Sequence, residues 1–476
     1  MHASPVNSPS FLNTSSFSVE WEIHHQVLVG NRPCHYHGSC SLKPVSLKNL
    51  LLLAIPAAVS VLLNNAFKVI DQYSVQWLGK YAQAAIGSCT FILLALFAIY
   101  SVVSSGSGPL IARATGSGNH EERRRIIGNA LFGAALIGAL VLTMLAFLAP
   151  TICDGLGLRG EVHALAVEYL QWLAVMGFPL VLAPVIDTVF IAVGRTALVM
   201  GLQFVATVLN ILLNPFFIYT LDFGIAGAAM ATGISRGISV VIGLWFLLRQ
   251  FRPAGRDFWP DSSLRRIIRI GLPLSWGIAL YALVYWALLR YTISPLGPTV
   301  NAALGIGYSA LEGFTWPIFW GISMGVASLI GRYIGAGQVD QARRTIRLAF
   351  PLMTLLGIAA GCIFWFGAEP LCRLFTDDPG VLEQAVLYAR ILAFSQLLVA
   401  YECLAEAVLE GSGDTRPILF WSAPWNIARI PFSWYFGIYL EMGPAAIWWV
   451  INVTTLVKAA GKWSAVIRGN WQSIRI

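Results

Sequence analysis

The sequence predicts an all-α integral membrane protein with twelve transmembrane helices in two parallel-repeat six-helix lobes. Three observations predict it. Hydrophobic residues fill 57% of the 476 positions and charged residues only 11%, with mean hydropathy +0.70. That leaves too little polar surface for a water-soluble chain of this size. Apolar stretches of about 20 residues, each long enough to cross a hydrocarbon core, recur along the chain. Finally, Arg113-Ala-Thr-Gly116-Ser-Gly118 returns 219 residues later as Arg332-Tyr-Ile-Gly335-Ala-Gly337.

The spans fall near 49–73, 84–110, 126–149, 162–186, 197–219 and 224–248, then near 266–291, 301–328, 345–368, 382–409, 417–440 and 444–466. At about the same offset Leu78-Gly79 aligns with Leu296-Gly297, Ala84–Gly87 with Ala302–Gly305, Tyr169 with Tyr388, and Gly194 with Gly413. So many matches in one order mark an internal duplication. The expected organisation is a polar N-terminal extension at 1–47, an N-lobe at 48–250, a cytoplasmic linker at 251–265 and a C-lobe with a short tail at 266–476.

Basic residues orient the spans. Loops after spans 2, 4, 6, 8 and 10 collect Arg113, Arg123 to Arg125, Arg195, Arg249, Arg332, Arg343, Arg344 and Arg416, whereas the other loops hold only Lys80, Arg159 and Arg373. Cytoplasmic loops collect Lys and Arg, so both termini are expected in the cytoplasm and the net charge of +8 reflects topology rather than nucleic-acid binding. Six spans is an even number, so both halves enter the bilayer facing the same way. Two such lobes with a cleft between them are a common transporter plan.

Residues 1–45 lack a periodic apolar pattern and contain His24, His25, Cys34, His35, His37 and Cys40. Their spacing fits no closed zinc site. The expectation is a disordered tail or a misassigned start, and not a signal peptide, since no apolar core stands near the terminus. The cysteines show no pairing pattern and are expected reduced.

Span 1 carries Pro56, Asn64, Asn65, Lys68 and Asp71. An ionisable residue at membrane depth is costly, which marks Asp71 as a functional candidate. Lys68 shares its helical face three residues back, so the pair either neutralises itself or poises the carboxylate for coupled protonation. In the repeated loop, Gly116, Gly118, Gly335 and Gly337 permit turns that other residues resist. Arg113 and Arg332 stand at helix ends where a cation meets the negative end of the dipole. These six read as gating or structural residues.

In span 8, Tyr308, Glu312, Trp316 and Trp320 recur every four residues and would share one face around a carboxylate. Such a face stabilises an organic cation, at roughly 2 kcal/mol per good cation–π contact; the competing reading is packing and interfacial anchoring. In span 10, Glu402, Glu406 and Glu410 recur at the same spacing, with Glu410 expected in water at the helix end. Glu406 aligns with Asp187 across the repeat. Arg390 and Arg429 are candidate partners for these acids, which are read either as proton or gate sites or as structural ion pairs.

The early Pro56, Asp71 ahead of Trp77-Leu78-Gly79, the repeated Arg-x-x-Gly-x-Gly loop, Asn210-x-x-x-Asn214-Pro215 and Gly411-Ser-Gly413-Asp414-Thr415 together resemble the multidrug and toxic compound extrusion (MATE) family over about residues 48–466. The resemblance implies two six-helix lobes around a central cavity and antiport of organic cations against protons or sodium ions. It places Asp71 at the family's functional span-1 aspartate and Asn210 in the same polar cluster. Asn214 stands where the proton-coupled branch usually has a second Asp, and an amide cannot carry a proton. The acids that resemble a sodium site in some members stand here as Tyr281 and Val399.

The expectation is therefore an antiporter exporting organic cations or drugs against H+ or Na+. Asp71, Asn210, Asn214, Glu402 and Glu406 are the ion-coupling candidates, and Glu312, Tyr308, Trp316, Tyr281 and Lys68 the cavity candidates. Pro56 and Asp187 join the gating set. No cofactor or metal is expected beyond the coupling ion; the partners are a small-molecule substrate and membrane lipid, with no nucleic acid, in a monomer of the inner membrane. Absence of a Walker A loop argues against an ATP-driven pump. Missing Asp-rich segments argue against an intramembrane prenyltransferase-type enzyme. The alternative kept open is a flippase or exporter of a lipid-linked or other amphiphilic metabolite.

Overall fold

The computed structural model describes residues 42–474, so the His and Cys cluster of the N-terminal extension lies outside the described residues. Every predicted span is helical. The first lobe comprises α1 (Leu47–Ser74), α2 (Lys80–Gly116), α3 (His120–Gly155), α4 (Gly160–Met176) with α5 (Phe178–Ala192), α6 (Thr196–Pro215) and α7 (Gly224–Phe251). The second comprises α8 (Ser262–Leu288), α9 (Pro298–Ile306) leading into α10 (Gly313–Gly335), α11 (Val339–Phe366), α12 (Ala368–Arg373), α13 (Pro379–Ser412), α14 (Arg416–Ser433) and α15 (Gly443–Arg468). Among the described residues nine helices are long and apolar enough to cross a membrane, ten when α4 and α5, bent by 55° at Gly177, count as one span. The last two expected spans, α14 and α15, fall short of that measure yet occupy their places in the second lobe.

Local chemistry sets the boundaries. Asn119, Asp261 and Asp378 accept a backbone N–H in the first turn of α3, α8 and α13 (3.0, 2.7 and 3.0 Å), the capping that frees helix ends from orphan donors. Past Pro215 and past Ser433 the chain widens into π turns, Phe216–Thr220 and Trp434–Tyr439, at equivalent places in the two lobes. A third π turn, Gly307–Glu312, joins α9 to α10.

Four apolar cores form, and their membership shows how the lobes meet. In the half of the membrane beside the basic loops, Leu50, Leu53, Ala54 and Ala58 of α1 pack into the second lobe's core, and Ile267 and Ile270 of α8 pack into the first lobe's. In the other half each core draws on one lobe only. The lobes are therefore joined beside the basic loops and separate toward the opposite face.

The repeated loop makes the tightest part of that junction. Gly116 lies directly on the backbone carbonyl of Arg332, and Gly335 on that of Arg113, so a side chain at either glycine would drive the lobes apart. This corrects the sequence reading: Gly116 and Gly335 end helices and serve close approach, whereas the turn itself is made by Gly118 and Gly337, both at φ 71°. The arginines also reach across. Arg113 donates to the carbonyls of Ser412, at the end of α13 (2.6 Å), and of Ile474 (2.6 Å), while Arg332 lies against Gly194, just past the end of α5. Gly194 and Gly413 are repeat counterparts, so the two contacts mirror each other. The dipole each arginine was expected to meet belongs to a helix of the other lobe.

Candidate functional site

Asp71 is buried three residues from the end of α1, and the first lobe closes around it. Asn210 and Asn214, both fully buried on α6, donate to its Oδ1 at 2.9 Å, and Thr232 on α7 donates to Oδ2 at 2.9 Å. The four-residue spacing of Asn210 and Asn214 puts both amides on one face of α6. Three donors from two neighbouring helices are the solvation an ionised carboxylate needs away from water. The Oδ1 of Asn214 is buried with no hydrogen-bond partner. Tyr169 stands close enough to interact electrostatically with Asp71. The side chain of Lys68, expected to pair with Asp71, lies outside the described residues.

Sequence reasoning missed the residues that extend this cluster. Arg236, buried in α7, donates to Gln203 Oε1 and Asn64 Oδ1 and lies 4.3 Å from the centroid of the Phe67 ring. Gln203 in turn donates to Asp187 Oδ2 at 2.6 Å. The available signal was Arg236 itself, a lone guanidinium inside an apolar span, which rarely occurs without a partner. Asp187, read as a gating residue, thus shares a hydrogen-bonded chain with Arg236.

In the second lobe Glu312 ends the Gly307–Glu312 π turn, and its Oε1 accepts from the Tyr388 hydroxyl at 2.6 Å. The wide turn corrects the predicted single face. Trp316 and Trp320 stack on each other (5.5 Å between centroids), whereas Glu312 meets tyrosines. Tyr281 and Tyr285 are 4.5 Å apart and Tyr285 and Tyr308 5.7 Å apart, and Tyr281, Tyr285 and Tyr308 all lie within electrostatic reach of Glu312. Tyr308 and Trp316 are exposed at 42% and 47%, so this aromatic group has an open side. Tyr169 and Tyr388 are repeat counterparts, and each lobe therefore sets one buried tyrosine beside one carboxylate.

The span-10 acids find partners the sequence reading did not name. Lys462, fully enclosed on α15, donates to Glu402 at 2.6 Å and to Glu406, and Lys458 one turn earlier is 3.0 Å from Glu402. The proposed partners are corrected: Arg390 is exposed, and Arg429 donates to Thr454 (2.8 Å) and Thr455 (2.9 Å). Glu410, expected in water, is half-buried. Glu402 and Glu406 are thus part of a balanced set of two carboxylates and two ammoniums. Among the described residues no group of three or more His, Cys, Asp or Glu could hold a metal ion.

Two repeated helical lobes, joined at one membrane face, with a buried carboxylate in each, define a polytopic transporter. The chain belongs to the MatE family, whose profile matches residues 56–216 and 273–435. It is similar to the probable multidrug resistance protein NorM of Thermotoga maritima, with 27% identity over 89% of this chain and 93% of the relative. Among solved structures it resembles a MOP superfamily transporter from Pyrococcus furiosus (TM-score 0.84, 22% identity, 90% of this chain and 97% of that one). It also resembles the Vibrio cholerae MATE transporter VcmN in its bent form (TM-score 0.82, 24% identity, 89% and 96%).

Proposed function

We propose that this chain is a secondary active antiporter that exports organic cations or drugs in exchange for protons, with sodium as the competing coupling ion, by rocking its two lobes in the cytoplasmic membrane. The relative named a probable multidrug resistance protein supports export of drug-like molecules. The basic loops support placing the joined face and both termini in the cytoplasm. On that orientation the lobes are closed to the cytoplasm and part toward the outside.

The observation that carries the coupling assignment is Asp71, whose two oxygens tie α1 to α6 through Asn210 and Asn214 and to α7 through Thr232. An ionised carboxylate accepts all three bonds strongly; a protonated one accepts more weakly and becomes a donor itself. The unpartnered Oδ1 of Asn214 is an acceptor for such a donor or for a bare cation. Proton uptake at Asp71 therefore loosens α1 from α6 and α7, and α1 is also a helix that packs into the other lobe. Glu312, with its tyrosines and the exposed Trp316, is the surface offered to the cationic substrate. The flippase alternative draws less support, since Arg236, Arg429, Lys458 and Lys462 are committed to protein side chains rather than free to meet a phosphate.

The test is efflux of a fluorescent organic cation from proteoliposomes under a proton gradient and then a sodium gradient. Proton-driven efflux that is lost in Asp71→Asn supports the reading. Cation efflux under neither gradient, together with movement of a lipid-linked sugar, supports the alternative.

A further inference from the structure

Asn214, an amide, cannot carry a proton, so among the described residues Asp71 is the one acid bonded within its own cluster. A second acid nevertheless reaches the cluster by another route. Asp187 Oδ2 accepts from Gln203 Nε2 at 2.6 Å, Gln203 Oε1 accepts from Arg236, and Arg236 acts electrostatically on both Asp187 and Asp71. Gln203 and Arg236 are each 5% exposed. The bonded chain runs from Asp187 through Gln203 to Arg236, and Arg236 stands one helical turn along α7 from Thr232, which bonds Asp71.

The lack of a direct ion pair at Asp187 is the decisive feature. Among the described residues its hydrogen-bond donor is the neutral amide of Gln203, and the guanidinium of Arg236 stands behind that amide. The second lobe gives the contrast. There Glu402 and Glu406 make direct ion pairs with Lys458 and Lys462. An ionised carboxylate without a direct partner at membrane depth is costly, and a proton on Asp187 removes that cost.

We infer that Asp187 is the second proton-carrying acid of the first lobe, and that Arg236 neutralises whichever of Asp71 and Asp187 is ionised. The proton comes from the aqueous phase and forms an O–H bond on one carboxyl group at a time. When it sits on Asp71, the guanidinium compensates Asp187; when it leaves Asp71 and an equivalent proton binds Asp187, the guanidinium compensates Asp71. Depth gives the pair a direction. Asp71 lies near the end of α1 remote from the basic loops, and Asp187 lies seven residues before Gly194, roughly 10 Å of helix from the opposite face. The described groups that act on Asp187 and Arg236 are each other, Asp71 and Tyr100 on α2. Asp187 also stands about one turn from Ile191, whose carbonyl accepts from Ser328 of the second lobe at 2.6 Å, so its charge state is set beside the lobe junction.

This rests on the proton-coupled reading of Asp71, and its test is chosen to separate the two. The infrared carbonyl stretch of protonated carboxyl groups is followed against pH in the purified native protein, Asp187→Asn, Asp187→Glu and Asp71→Asn. Asp187→Asn should remove one titrating band, Asp187→Glu should restore one, and Asp71→Asn should move the titration of the band that remains. Proteoliposome transport of tetraphenylphosphonium under a proton gradient should fall at least about tenfold in Asp187→Asn and recover in part in Asp187→Glu, while binding of the same probe changes less than about threefold. If Asp187→Asn leaves both the spectrum and proton-driven transport unchanged, the proposal is overturned. If the acids titrate as described but the native protein ignores a proton gradient, the acid pair stands and the coupling reading fails.

Discussion

The ammonium of Lys462 is fully enclosed and sits 2.6 Å from Glu402, with Glu406 as its second acceptor. An ion pair in such surroundings is defined as much by what its removal leaves behind as by its own attraction. Lys462→Met strands two carboxylates against Lys458 alone. Breaking a buried pair on one side costs roughly 3–5 kcal/mol, so the variant should melt several degrees lower in detergent. Lys458→Met combined with Glu402→Gln removes one charge of each sign and should cost clearly less. Equal loss in both would mean the cluster is packing rather than charge.

A methyl group at the lobe junction should act on access rather than on stability within a lobe. Gly116→Ala and Gly335→Ala each place a carbon where the facing arginine's carbonyl stands. Both should shift the protein away from the joined arrangement, read as faster alkylation of a cysteine introduced at Ala112, which is 1% exposed beside Gly331. Unchanged alkylation would mean the junction tolerates the extra volume.

Tyr388→Phe removes the hydroxyl that donates to Glu312 and leaves the ring, whose edge-on contact with Trp448 (4.8 Å) holds it in place. A hydrogen bond to a charged group contributes about 1.5–3 kcal/mol. If Glu312 meets the substrate cation, affinity for that cation should change by about tenfold in Tyr388→Phe and fall further in Glu312→Gln, by fluorescence titration. Native affinity in Glu312→Gln would remove the carboxylate from the substrate site.

Much of the fold was legible because its cause is local. Apolar runs of bilayer length specify spans, and the duplicated Arg113 and Arg332 loops specify two lobes. Asp71 was legible for the same reason, as a carboxylate in an apolar run. What was not legible depends on helices that meet only in three dimensions. Lys458 and Lys462 lie two helices after Glu402, and i, i+4 spacing speaks only of neighbours on one helix. The π turn at Gly307–Glu312 adds a residue to one turn and rotates Glu312 toward Tyr388, and nothing in that segment marks it beforehand. Arg236 could have been found, because a buried arginine needs a partner; its partners Gln203 and Asn64 could not.

The central claim is that the charge state of Asp71 couples ion movement to transport. The most direct measurement is proton flux accompanying cation transport in proteoliposomes carrying a pH-sensitive dye, for the native protein and Asp71→Asn. The account predicts proton movement opposite to the cation in the native protein and its loss in the variant, with cation binding retained. Equal proton-coupled transport by Asp71→Asn would contradict it.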